Sequence, residues 1–146
     1  MTITEKQDDI FNAPRGQHIV HCISGDFTLG AGLAKKIDDV YNMRYKLFKT
    51  YPYEDGKNYG YVGKALLIDD VFNLVNKPKF KHKPRIEDLR NALEDLRDQC
   101  EEKGIYKIAM PKIGTGHDHM NWDDVLTVIE EVFDDTDIDI DVYYLR

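Results

Sequence analysis

No apolar run in this chain approaches the roughly 18 residues that a membrane-spanning helix needs, so no membrane span is expected. The first residues, Met1–Asp9, are polar and acidic and carry no secretory-signal pattern. A surplus of positive charge is missing too. The formal net charge of -7 disfavours broad, charge-driven binding to nucleic acid or to an anionic membrane, though not a small local basic site. Cysteine is scarce: Cys22 falls in a strand-like segment and Cys100 in a helix-like one, so two buried reduced thiols are expected rather than a disulfide. Internal repeats and low-complexity tracts are absent. The expectation is a cytoplasmic or nucleocytoplasmic protein, monomeric and without a membrane partner. Its 146 residues suggest one domain spanning 1–146.

What is present is an alternation of periods. His18–Ser24 (HIVHCIS) is short, β-branched and mostly apolar, as a buried strand would be. From Leu33, the residues Leu33, Ala34, Ile37, Val40 and Tyr41 fall at helical spacing. Residues 51–60 (YPYEDGKNYG) read as a loop. Strands are expected at Lys64–Ile68 and Val71–Asn76, as an antiparallel pair. In Lys77–Pro84 (KPKFKHKP) two prolines bracket a run of cations and forbid regular structure. Ile86, Leu89, Leu93, Leu96 and Cys100 predict a helix over 86–100, closed by Gly104, with Arg90–Glu94 and Glu94–Arg97 able to pair. Ile105–Ile113 reads as a strand. Asn121 can cap a helix with Asp123 and Asp124 in its first turn, and Trp122, Val125, Leu126, Ile129, Val132 and Phe133 as its buried stripe. Ile138, Ile140, Val142 and Tyr144 alternate, as in a half-buried final strand. The alternation predicts an α/β fold, a three-layer α/β/α sandwich on a mixed, mostly parallel sheet.

Such sheets bind ligands beyond the carboxyl ends of their strands, and two glycine turns fall at such ends. Gly30 and Gly32 precede a helix start; Gly114 and Gly116 follow a strand. Each pair alone serves a tight turn. Facing each other, they could clamp a pyrophosphate with backbone N–H groups. Neither is a P-loop or a full GxGxxG. Lys77 heads a cluster with Lys79, Lys81, Lys83 and Arg85, either a solvated basic loop or a setting in which crowded cations favour a nucleophilic neutral amine. Asp118 is a turn residue or an acid-base group. His117 and His119 are spaced for a metal, but no third ligand is spaced to support them. Cys22 beside His21 could suggest a thiol nucleophile, yet an apolar strand favours packing.

The stretches HCISGDFTLGAGLA, NLVNK, HKPRIEDLRNAL, AMPKIGTGHDHMNWDDV and IEEVFDDTDIDIDVYYL resemble the macrodomains of the terminal ADP-ribose protein glycohydrolase type. The resemblance runs in order along nearly the whole chain. It implies a macrodomain over residues 1–146 with ADP-ribose as ligand. Asp9 then matches the aspartate that bonds the adenine amino group, with Ile10 beside it. Ser24 and the turn Gly30, Ala31 and Gly32 match the loop that holds the distal ribose and a phosphate. Ile113, Gly114, Thr115 and Gly116, followed by His117, match the second phosphate loop. Lys77 matches the catalytic lysine and Asp118 the catalytic aspartate. Two positions depart from the family pattern: Asp8 replaces a glycine and Pro78 a second lysine. The Asn-Asn and Gly-Gly-Gly motifs of asparagine-based macrodomain hydrolases are missing, so their water mechanism is not expected.

The implied activity is hydrolysis at the distal ribose through a lysine adduct, with no cofactor and no metal. Implied substrates are ADP-ribosylated acidic residues, O-acetyl-ADP-ribose or modified nucleobases. An ADP-ribose-1″-phosphate phosphatase and a non-catalytic ADP-ribose reader are the alternatives. The implied partners are ADP-ribose or ADP-ribosylated protein, and ADP-ribosylated nucleic acid if the cations of residues 77–85 hold a phosphate chain.

Overall fold

The computed structural model describes the backbone of residues 1–52 and 58–145. In chain order its elements are β1 (Thr2–Gln7), β2 (His18–Ser24), α1 (Gly32–Tyr41), α2 (Met43–Thr50), β3 (Ala65–Ile68), β4 (Val71–Lys77), α3 (Ile86–Lys103), β5 (Lys107–Pro111), α4 (Trp122–Phe133) and β6 (Asp139–Tyr144). The six strands form one sheet in the order β1-β6-β5-β2-β4-β3, parallel throughout except for the β3–β4 pair. Strands that feed helices must return in the same direction, which makes the sheet parallel; only the short turn at Asp69–Asp70 permits the antiparallel pair.

Helices cover both faces. Leu89, Leu93 and Leu96 of α3 and Val125, Ile129 and Phe133 of α4 pack on Val20, Phe72, Leu74, Ile108 and Met110. Ile37, Met43 and Leu47 of α1 and α2 pack on Ile19, Ile23, Leu66 and Val75 from the other side. This is the expected three-layer α/β/α sandwich. Every residue of β4 is buried, as befits a strand covered on both faces.

The periodic segments form as expected, with instructive differences. Val40 is 64% exposed although it shares the spacing of the α1 stripe. Asn42, at φ +56°, ends α1 and starts α2, a helix the apolar spacing does not announce. Strand β1 also escapes the periodicity: only Ile3 and Lys6 are half-buried, and its ladder with β6 holds it. The expected strand over Ile105–Ile113 shortens to Lys107–Pro111. Residues 51–60 are not all loop, since Asn58–Tyr61 forms a 3-10 turn; residues 53–57 lie outside the described ones. Trp122 and Leu126 are only half-buried, and Val128 is buried in α4 instead. The expected pairings with Glu94 give way to tertiary ones: Arg90 reaches Glu131 on α4 at 2.7 Å, and Arg97 donates to the Val132 carbonyl at 3.2 Å. Arg97 keeps one partner on its own helix as well, with Nε donating to Asp98 Oδ1 at 3.0 Å.

Gly104, at φ +69°, closes α3, and the Asn121 side chain accepts the Asp124 N–H at 3.2 Å to cap α4. Cys22 and Cys100 are free thiols. Among the described residues no helix is long and apolar enough to cross a membrane.

Candidate active site

Parallel strands end side by side, so the loops that follow them gather along one edge of the sheet. A cavity of about 520 Å³ opens there. Asp9 and Ile10 line it from the turn after β1, Ala31 and Gly32 from the start of α1, and Tyr143 and Tyr144 from the end of β6. Ile113, Gly114, Thr115 and Gly116 line it from the loop after β5, followed by His117 and Asp118. A smaller chamber of about 60 Å³ adjoins it, sharing Cys22, Ala31, His117 and Asp118 and adding Ser24, Gly30, Lys77 and Phe80. The candidate catalytic and ligand-binding residues thus line these two adjoining cavities, whereas Lys79, Lys81, Lys83, Arg85 and His119 line neither.

At the chamber end, Lys77 Nζ donates to Asp118 Oδ1 at 2.5 Å, with side chains only 5% and 11% exposed. The rest of the cluster is a solvated basic loop, one of the two settings its sequence allowed, and Lys77 stands apart from it. Lys79, Lys81, Lys83 and Arg85 are exposed, whereas Lys77, still on the strand, turns inward onto a carboxylate. A second donor completes Asp118: Asn76 Nδ2 reaches Oδ2 at 2.9 Å. Above this pair, Phe80 and His117 stack with ring centroids 4.6 Å apart and planes 12° from parallel. The Phe80 ring also lies 5.4 Å from Lys77 Nζ. His117 is thereby committed to an aromatic partner.

Ser24 lines the chamber, but its hydroxyl donates to Asp26 Oδ1 at 2.5 Å. Asp26 also accepts the N–H of Thr28 at 3.3 Å and of Phe80 at 3.0 Å. Burial pushes the Asp26 carboxyl up, but the bonds from Ser24, Phe80 and Thr28 outweigh it and hold it below its ordinary value.

In each of the two glycine turns one glycine adopts a positive φ, Gly32 in the first and Gly114 in the second. Gly32 opens α1 at φ +57°, with nothing within 4 Å of an added Cβ. The first-turn N–H groups of α1 have no partner inside the helix, and their residues Ala31, Gly32, Leu33 and Ala34 line the cavity. Gly114, at φ +77°, has Met120 Sδ 2.9 Å from where a Cβ would stand. Opposite, Asp9 Oδ1 accepts the Phe11 N–H at 2.9 Å and caps the turn at Ile10–Asn12. Asp8 holds the same turn: its Oδ1 accepts from Asp9 N at 2.7 Å and Asn12 Nδ2 at 2.9 Å. Those two bonds, Asn12 first, hold the Asp8 carboxyl below its ordinary value.

Cys22 and His21 form part of the wall. Burial first, and then the Asp118 charge, push the Cys22 thiol well above its ordinary value, so it packs as a neutral group. His21 Nε2 lies 2.5 Å from Asn73 Oδ1, and Asn73 Nδ2 donates to the Leu66 carbonyl at 3.0 Å. That orientation of the amide makes Nε2 the protonated nitrogen and leaves Nδ1 a bare acceptor. Burial lowers the His21 pKa to about 4, with the Asn73 bond opposing.

Sequence reasoning missed Asn76, Asp26 and Phe80. Asn76 directly precedes Lys77 and Phe80 follows it by three residues, and that nearness in the chain is the signal that could have found them. Nothing local marks Asp26 as the residue that receives Phe80.

Comparison with known proteins gives the same answer from three directions. The macro domain family model matches residues 20–129. The ADP-ribose glycohydrolase OARD1 of Bos taurus is 37% identical over 146 residues, covering 98% of this chain and 91% of that protein. The solved macrodomain of Mycobacterium tuberculosis DarG superposes with a TM-score of 0.82 at 20% identity, covering 99% of each chain. Thermosipho africanus DarTG, solved in complex with ADP-ribose, gives a TM-score of 0.71 at 18% identity over 97% of this chain and 41% of that one. The two solved structures bear on the fold, the mammalian relative on the sequence itself, and together they establish that this chain belongs to the macro domain family.

Proposed function

We propose that this protein is an ADP-ribosyl hydrolase that cleaves a group from the distal ribose of ADP-ribose. The observation that carries the reading is the Lys77–Asp118 pair, 2.5 Å apart and shielded from water at the narrow end of a cleft. The name of the bovine relative, an ADP-ribose glycohydrolase, supports it. The long cavity suits an extended nucleotide. The N–H groups at the start of α1 and the Gly114–Gly116 turn supply donors for a pyrophosphate, and Asp9 an acceptor for the adenine amino group.

Chemically, a proton passes from the Lys77 ammonium to Asp118 inside the pair. The neutral amine attacks C1″ of the distal ribose; the bond from C1″ to the departing group breaks, C1″–O for an ester or phosphate and C1″–N for a nucleobase, and its electron pair leaves with that group. The product of this step is a ribosyl-lysine adduct. Asp118 passes its proton to the leaving group or to solvent, then takes one from a water that attacks C1″. The C1″–N bond breaks, ADP-ribose leaves, and the proton returns to Lys77. Fixing C1″ near Nζ removes most of the entropic barrier to the first step.

Within this reading the leaving group is the carboxylate of an acidic residue, an O-acetyl group, a 1″-phosphate or a nucleobase. A panel of these substrates at matched concentration tests the proposal. Turnover of at least one by the native protein, and of none by Lys77→Ala, is expected. ADP-ribose binding with no turnover of any panel member would make the protein a reader instead.

A further inference from the structure

We infer that Asn76 is a positioning residue for Asp118, brought into reach by a β-bulge in β4. The inference rests on the reading that Lys77 and Asp118 carry the reaction. In a regular strand, neighbouring side chains point to opposite faces, so two consecutive residues do not converge on one small group. Here they do. Lys77 Nζ holds Asp118 Oδ1, and Asn76 Nδ2 holds Asp118 Oδ2. The register explains it. Ile23 pairs with Val75, but Ser24 pairs with Lys77, so Asn76 is the extra residue opposite the Ile23–Ser24 step. An inserted residue of this kind bends the strand and re-aims its side chains.

The chemistry of the contact is specific. A carboxylate only accepts, so the amide must present its NH2 end, and Asp118 is held at both oxygens by two different donors. Rotation of the carboxylate is thereby blocked with Oδ1 facing the amine. Asn76 is fully buried, and its Oδ1 has no protein partner among the described residues. An apolar side chain of the same shape would avoid that unpaired oxygen, so packing alone does not call for asparagine here. The amide makes sense as a donor to Asp118.

The inference separates activity from stability. Asn76→Leu keeps the number and branching of side-chain heavy atoms and removes the donor. Its kcat on a glutamate-linked ADP-ribosyl peptide should fall at least tenfold, while KM and the ADP-ribose Kd stay within about threefold and Tm is unchanged or higher. Asn76→Asp, the same size but repelling Asp118, should lose at least as much kcat and serves if the leucine variant does not fold. A kcat within threefold of the native value in the folded variant would overturn the inference. So would a loss that tracks a drop in Tm or in ADP-ribose affinity. Lys77→Ala runs in parallel. If it stays active, the lysine reading fails; if it is inactive while the Asn76 variants turn over normally, only the role of Asn76 fails.

Discussion

Asp26, on the loop after β2, accepts the backbone N–H of Phe80, on the loop after β4, at 3.0 Å. The bond joins two strand ends that lie side by side in the sheet, and it holds the Phe80 ring against His117 over Lys77. The walls of the narrow chamber are therefore set by a carboxylate that does not itself line it. Asp26 is 54 residues from Phe80 in the chain, and only the sheet brings them together.

Asp26→Ala removes an acceptor used by Ser24, Thr28 and Phe80. A loss of about 1–3 kcal/mol is expected from the unpaired donors. The sign with pH also follows. The folded carboxyl lies below its ordinary value, so its contribution is present above the unfolded pKa and fades as the pH falls through the folded one. Chemical denaturation of Asp26→Ala and native protein, at neutral and at acidic pH, checks both points; the gap should narrow in acid.

Lys77→Ala and Asp118→Ala should each reduce turnover by about 10³-fold or more while the ADP-ribose Kd stays within a few-fold. Intact-mass measurement of Asp118→Ala with substrate at raised pH, where Lys77 can lose its proton to solvent instead, should show a ribosyl adduct on Lys77, because the step that releases it lacks its base. An active Lys77→Ala protein would refute the lysine route.

The two glycines of the second turn should separate. Gly114→Ala forces a methyl at φ +77° into Met120 Sδ at 2.9 Å, so it should cost more than about 1 kcal/mol and shift the loop carrying Asp118. Gly116 has no atom within 4 Å of an added Cβ, so Gly116→Ala should change stability by less than about 0.5 kcal/mol. If the turn cradles phosphate, Gly116→Ala should still weaken ADP-ribose binding. Thermal melts and calorimetry read the two effects independently.

His21 predicts a pH-dependent stability. Its folded pKa is about 4 against an ordinary 6.5. Between those values the unfolded chain takes up a proton that the folded chain refuses, so stability falls as the pH drops through this window and levels off below it. The loss is on the order of 3 kcal/mol. His21→Gln should flatten the unfolding free energy between pH 6.5 and 4 relative to the native protein. Parallel slopes for the two proteins would show that His21 is not the group responsible.

The periodic elements are legible in local spacing alone. β2, α3, α4 and β6 carry enough apolar spacing to declare themselves, and the alternation of strand and helix makes the sheet mostly parallel. The sequence also made the ends of β2 and β5 visible through their glycine turns, and Lys77 through its place at the end of β4. Strand β1 and helix α2 were not legible in this way. TITEKQ has almost no buried face of its own, and Asn42 breaks a helix that the apolar spacing runs through. Most of all, the tertiary structure decided what surrounds Lys77. Seen in the chain, the lysine sits among Lys79, Lys81 and Lys83; in the fold it meets Asp118, Asn76 and the Phe80–His117 stack. Periodicity is a local property, set by backbone geometry over a few residues. The partners of a side chain at a strand end depend on register, on one inserted residue, and on which loops the sheet places next to each other.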